Sequence, residues 1–241
     1  MTEAYKYDRC LGGICTINNK NAYSQFGADL KGLAPTPGKV NVNFTEVLTK
    51  SGLFVNDYKI ETGGIKMEFY VNGRSSEDCY INTSNLIAEC RNCIIRTDRD
   101  RFEYIAVLSN FSVKETGVSF YNEVTLDFGV IKRFPLTVHT FHNGQGSFRN
   151  IGSLVSGAKL TIVSKYDHAA LTVNGITLYN GVADDVFVID GLIGAVTRNG
   201  VNCFMQTNLI DFPKVQPGIN NIDTSDDDVT VSIAYYPTFV V

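Results

Sequence analysis

The sequence predicts a mainly β protein in two parts: an N-terminal β-sandwich-like domain carrying one helix, and a C-terminal β-sandwich. Three observations predict it. The aromatic residues are 15 Phe and 12 Tyr with no Trp, and Phe and Tyr favour pleated strands. Apolar residues alternate with polar ones in segment after segment instead of recurring at helical spacing. Turn residues, 21 Gly among them, punctuate the second half about every 8 to 12 residues, as in a sandwich.

From the N-terminus, GICTINN is a short strand closed by a turn at Asn18-Asn19. Residues 26–38, FGADLKGLAPTPG, read as a loop rich in proline and glycine. KVNVNFTEV alternates, with Val40, Val42 and Phe44 against Asn41, Asn43 and Thr45. GGIKMEFYVNG repeats the pattern with Ile65, Met67, Phe69 and Val71 on one face, and these two strands are expected to pair with each other. SSEDCYINTSNLIAECRNC breaks the rhythm. Ser75 or Ser76 caps a helix, and Glu77 and Asp78 sit in its first turn, where the dipole favours acids. Cys79, Leu86 and Cys90 fall near one face, with Ile87 and Cys93 beside them, so a helix is predicted over about residues 77–91. Its interior is rich in Asn and Thr, so tertiary packing must hold it.

Strands resume with NCIIRTD, FEYIAVLSNFSVKET and SFYNEVTLDFGV, with a charged hairpin turn at DRDR, residues 98–101. KRFPLTVHTFHNGQGSF reads as a crossing point. The join is placed there, giving domains 1–137 and 138–241. The second half is read as all strand: AKLTIVS, AALTVNGITLYNG, DVFVIDG, GAVTRNG, VNCFMQT, INNIDT and VTVSIAYYPTFVV. Asp190 starts a turn, Asn199-Gly200 suits a type I′ hairpin and Pro217-Gly218 a type II turn.

At 241 residues the chain suits one large domain or two small ones. With 44% hydrophobic and 19% charged residues it is globular in composition. A net charge of −4 leaves no basic face to release counterions, so no specific nucleic-acid binding is expected. No apolar run is long enough to span a bilayer, so no membrane partner is expected. The start, MTEAYKYDRC, has no apolar signal core, which predicts synthesis in a cytosol without export by that route. The six Cys then read as buried thiols.

Candidate chemistry is sparse. Cys90 and Cys93 form a CxxC, but a zinc site needs four ligands, and Cys10 and Cys15 complete it with poor spacing. A redox CxxC belongs at a helix N-terminus, and this one falls at a C-terminus. His139, His142 and His168 lack a serine on a strand-to-helix elbow and read as loop and sheet-surface residues. DTSDDDV, residues 223–229, lacks the glycine and distal glutamate of a calcium loop and reads as a solvated acidic turn. Asp184 and Asp185 read as edge or turn charges. No residue is assigned to catalysis, to a cofactor or to a metal. No cofactor is expected, and the chain is read as not an enzyme.

The order of pieces carries a resemblance. The first half runs VNVNFTEV, IKMEFYVNG, the single helix, a charged turn, EYIAVLSNFSV and NEVTLDF. The second runs FHNGQG, LTIVS, LTVNGITL, VFVIDGLIGAVTRNGVN, DFPKVQPGINNI and VSIAYYPTFV. Over nearly its whole length this resembles the distal tail proteins of long-tailed siphophages, called Dit. The resemblance implies an N-terminal domain that assembles as a hexameric ring, with a galectin-like sandwich outside it. It implies a structural part of the tail tip (baseplate), in the virion and made in the host bacterial cytoplasm. The implied partners are further copies of the chain, the tail tube protein, the tail hub or tail-associated lysin, the tape measure protein, and receptor-binding or baseplate proteins; DNA passes through the ring. Galectins grip sugars with a stacking Trp, and this chain has none, so no sugar site is carried over. Two other readings stand beside this one: a carbohydrate-binding adhesion module recognising the host surface, and a metal-dependent enzyme at Cys90 and Cys93.

Overall fold

The computed structural model describes residues 14–38, 40–46, 53–60, 63–118 and 120–240. The chain divides into two compact units, Met1–Arg133 with Val240–Val241, and Phe134–Phe239. Residue 137, where the sequence reading places the join, is the first residue of a strand of the second unit.

In the first unit the strands are β1 (Cys15–Ile17), β2 (Lys20–Asn21), β3 (Ala28–Thr36), β4 (Val40–Glu46), β5 (Leu53–Ile60), β6 (Gly64–Asn72), β7 (Asn92–Thr97), β8 (Glu103–Glu115) and β9 (Tyr121–Arg133). They are accompanied by a short helix α1 (Ala22–Phe26) and the long helix α2 (Ser76–Glu89). The main sheet is antiparallel in the order β2-β1-β7-β8-β9-β6-β3. Asn18 and Asn19 both take positive φ in the two-residue turn between β1 and β2, as asparagine tolerates. Ile65, Met67, Phe69 and Val71 are all buried along β6. They meet Val124, Leu126 and Phe128 of β9 and Leu86 of α2 in one core. Ser75 caps α2, its hydroxyl accepting the Asp78 N–H at 3.1 Å. Cys79, Thr83 and Leu86 are its buried residues.

Two sequence readings are corrected here. Residues 28–36 are not loop but the edge strand β3, paired with β6 from Ala28 opposite Val71 to Thr36 opposite Gly64. Pro35 is tolerated because an edge strand has one side with no ladder to feed, and a register shift between Leu30 and Gly32 absorbs the glycine. β4 does not pair with β6. It pairs with β5, the segment treated as intervening, from Val40 opposite Ile60 to Glu46 opposite Leu53.

The second unit contains β10 (Thr137–Phe141), β11 (Gly146–Asn150), β12 (Ser156–Ser164), β13 (His168–Val173), β14 (Ile176–Gly181), β15 (Val186–Asp190), β16 (Ala195–Arg198), β17 (Val201–Asn202), β18 (Lys214–Val215), β19 (Gly218–Ile222), β20 (Val229–Tyr235) and β21 (Thr238–Phe239). Its large sheet runs β10-β20-β12-β15-β16-β17. The ribbons β11-β19 and β13-β14 form separate two-stranded sheets. Buried residues of β12 (Ala158, Leu160, Ile162) and β20 (Val231, Ile233, Tyr235) share one core with Leu171, Val173 and Leu178 of β13-β14 and Phe148 of β11. Part of the stretch read as strand, Phe204–Gln206, is a turn of 3-10 helix.

The β15–β16–β17 hairpins are pinned by a buried carboxylate. Asp185 was expected to be an edge or turn charge, yet it is 7% exposed. Its carboxylate pairs with the Arg198 guanidinium. It also accepts the Asn199 side-chain amide at 2.7 Å and the Val182 N–H at 2.6 Å. Asn199 in turn accepts the Val186 N–H at 2.9 Å while holding the left-handed conformation of its own turn. One acid thus links the start of β15 to the turn that closes β16. Burial pushes its carboxyl up, but Arg198, Val182 and Asn199 outweigh burial and hold it below its ordinary value. A carboxyl held low in the folded state adds stability above its unfolded-state pKa and loses it as pH falls through the folded one. Asp185→Asn is therefore expected to cost about 1–3 kcal/mol at neutral pH, from the partners left poorly satisfied. The gap to wild type should close as pH falls below the ordinary carboxylate range; urea melts at several pH values read it directly.

Candidate functional site

The thiols come first, because they carried the nearest motif to a metal or redox centre. Cys90 caps the C-terminal end of α2 and Cys93 is the second residue of β7, and both are buried with Cys15 in the core of the first unit. The Cys93 thiol lies 3.6 Å from the Cys90 carbonyl oxygen. Its hydrogen bond with Cys93, and then burial, push the Cys90 thiol up, while the same hydrogen bond, outweighing burial, draws the Cys93 thiol down; burial first, and then Cys93, raise Cys15 to about 12. A thiol held protonated is a poor nucleophile and a poor metal ligand. Cys10 lies outside the described residues.

The histidines are spread through the second unit. His139 lies on β10, its ring 4.8 Å from Phe148 and 6.0 Å from Tyr235. His142 is exposed in the turn after β10. The His168 ring, at the start of β13, packs against the Gly181 backbone and lies 6.3 Å from Phe187. In the acidic turn, Asp226 accepts the Asp228 N–H at 3.0 Å and Lys165 reaches Asp228 at 3.4 Å. Among the described residues no three or more His, Cys, Asp or Glu side chains stand together as metal ligands would.

What the chain does display is surface. In the second unit Ile193, Met205 and Ile210 stand out at the β15–β16 turn and on either side of residue 207, with Met205 92% and Ile210 95% exposed. In the first unit a polar cleft of about 540 Å³ lies over the start of α2, lined by Tyr23, Gln25, Arg74, Asp78 and Asn82 among others. A more apolar cleft of about 470 Å³ separates α2 from the far end of β8, with Tyr80 and Ile87 on one wall and Phe111 and Val113 on the other. Nothing in the sequence marks this surface, because where β7 ends beside β8 is decided by pairing.

With their thiols buried and Cys90 and Cys15 held protonated, Cys15, Cys79, Cys90, Cys93 and Cys203 are expected to resist a thiol reagent in the native protein and to react after denaturation. Mass spectrometry of the labelled protein reads the outcome, and fast native labelling of Cys90 or Cys93 would mark the pair as a reactive centre.

No protein-family model matches the sequence, and no curated protein is similar to it in sequence. Solved structures are similar in fold. The crystal structure of the Dit protein of phage SPP1, described as a paradigm of the hub adsorption apparatus in phages that infect Gram-positive bacteria, matches with a TM-score of 0.75 at 11% identity, over 94% of this chain and 99% of that one. A chain of the phage P2 baseplate in its activated conformation with Ca matches at TM-score 0.51 and 10% identity, over 87% of this chain and 90% of that one. The same baseplate with Sr gives 0.52 and 10%, over 92% and 97%. The two units of this chain together therefore have the fold of the phage distal tail protein Dit.

Proposed function

We propose that this protein is a structural component of the distal end of a long, non-contractile phage tail. It forms a hexameric ring that joins the tail tube to the tail hub and lets DNA pass. The observation that carries this reading is coverage. The fold of the SPP1 protein extends over 94% of this chain and 99% of that one, so the likeness takes in both units and not one shared domain. The first unit is the ring-forming part and the second the galectin-like sandwich outside it. The tube protein lies on one side and the hub or tail-associated lysin on the other, with the tape measure protein in the channel and receptor-binding or baseplate proteins at the rim.

The chemistry of the chain supports a builder over a catalyst. Among the described residues its thiols are buried, and no three His, Cys, Asp or Glu side chains gather as metal ligands would. Its exposed apolar residues, by contrast, are the material of interfaces. A net charge of −4 suits a channel that must not grip DNA.

Light scattering or native mass spectrometry, from dilute to concentrated solution and with tube and hub proteins added, is expected to find a six-fold multiple of the 26.6 kDa chain. A protein that remains a single chain under all these conditions overturns the proposal, and glycan capture by that monomer would favour the adhesion reading.

A further inference from the structure

The chain contains five Asn–Gly steps: Asn72-Gly73, Asn143-Gly144, Asn174-Gly175, Asn180-Gly181 and Asn199-Gly200. Each is a point of chemical reactivity as well as a place where the chain can turn. The peptide nitrogen that follows an asparagine can attack the side-chain amide carbon. Glycine leaves that nitrogen unshielded and the backbone around it free to adjust. Attack needs an amide that can rotate over the nitrogen and a peptide N–H that is not already donated. The fold distributes these conditions unequally.

Most of the steps are held. Asn199 donates its amide to Asp185 at 2.7 Å and accepts the Val186 N–H at 2.9 Å. A carboxylate made there would face that of Asp185 across the same contact, so like charge opposes it as well. Asn174 donates its amide to the Asn221 carbonyl at 3.1 Å and accepts the Asp223 N–H at 2.7 Å. At Asn72-Gly73 the attacking group is engaged, because the Gly73 N–H donates to the Phe120 carbonyl at 3.1 Å. Asn180 and Gly181 both belong to β14, and the His168 ring packs so closely on Gly181 that a Cβ there would strike it.

Asn143-Gly144 carries none of these restraints. It lies in the turn between β10 and β11, and Asn143 is exposed. Among the described residues neither the Asn143 amide nor the Gly144 N–H has a hydrogen-bond partner. Gly144 holds a φ of 67°, which glycine adopts without strain. It packs onto Thr224 and the Asp226 carbonyl, which fixes the nitrogen while the exposed amide stays free to rotate.

We propose that Asn143 is a site of spontaneous deamidation in the folded protein and converts ahead of the other Asn–Gly steps. A base takes the Gly144 amide proton and the nitrogen bonds to the Asn143 Cγ. The Cγ–Nδ2 bond breaks, ammonia leaves, and a succinimide ring remains. Water then opens the ring. Cleavage of the new N–Cγ bond gives aspartate. Cleavage between the nitrogen and the former backbone carbonyl gives isoaspartate, with the main chain rerouted through the side chain. Nothing is oxidised or reduced, and water is the only reactant consumed. Either product adds a carboxylate to a turn whose next residues, Gly144 and Gln145, already touch Asp226 and Asp227. The net charge of −4 becomes one unit more negative.

The full-length protein is held in mildly alkaline buffer, native and in urea, and sampled over days. Digestion at acidic pH and mass spectrometry then follow each Asn–Gly peptide. Two hydrogen bonds that must break before attack slow a step about tenfold. In the native protein, conversion at Asn143 is therefore expected to run about tenfold faster than at Asn174 and Asn199, and ahead of Asn72 and Asn180. In urea the gap should collapse, because the fold no longer distinguishes the steps. Isoelectric focusing of the native protein should show an acidic form growing in, and Asn143→Gln should remove it, since glutamine would have to close a larger ring. Native conversion at Asn143 no faster than at Asn174 or Asn199 overturns the proposal. So does an acidic form that grows in unchanged in Asn143→Gln. Should that variant fail to fold, the peptide rates of the wild type decide alone.

Discussion

A β-sheet must end somewhere, and its last strand carries a full row of N–H and C=O groups with no ladder to enter. How a chain deals with those rows governs where its strands can go. In the second unit, β12 takes the centre with β20 on one side and β15 on the other. The sheet then tapers to β17, two residues long. In the first unit one end of the main sheet is β2, also two residues. The other is β3, with Pro35 and an irregular register. Three of these four sheet ends are blunted by the devices soluble sheets use; the fourth, β10, is a short strand of five residues.

Sequence pattern is a record of burial, and it is legible where burial alternates. β6, β12 and β20 each alternate buried and half-exposed residues along their length, so their identity and inward faces could be read from single residues. The same holds for turns that require positive φ: Asn18, Asn19, Asn199 and Gly218 all adopt it. Partner choice is different in kind. The alternation in β4 says that it is a strand, not that β5 rather than β6 pairs with it, because pairing is decided between segments. β3 was hidden because Pro35 and Gly32, which break central strands, are acceptable on an edge. Asp184 and Asp185 were indistinguishable as neighbours in sequence. One turns out with φ of 64°, and the other is buried because Arg198 and Asn199, a hairpin away, reach it.

The candidate surface was the least legible part. An exposed valine on a strand looks like any other valine, and Phe111 and Val113 resume the apolar pattern of β8 after Ser109 and Asn110. What makes them different is that β7 stops at Val107's partner while β8 continues to Glu115. That is a fact of relative strand length, visible only once the sheet is assembled.

The likeness to a known fold without likeness in sequence follows from the same physics. A sheet core asks for apolar residues of suitable volume at alternate positions, and many sequences meet that demand. At 11% identity the pattern and the topology persist while the particular residues do not. Surfaces that bind are held by a narrower condition, since both partners must match.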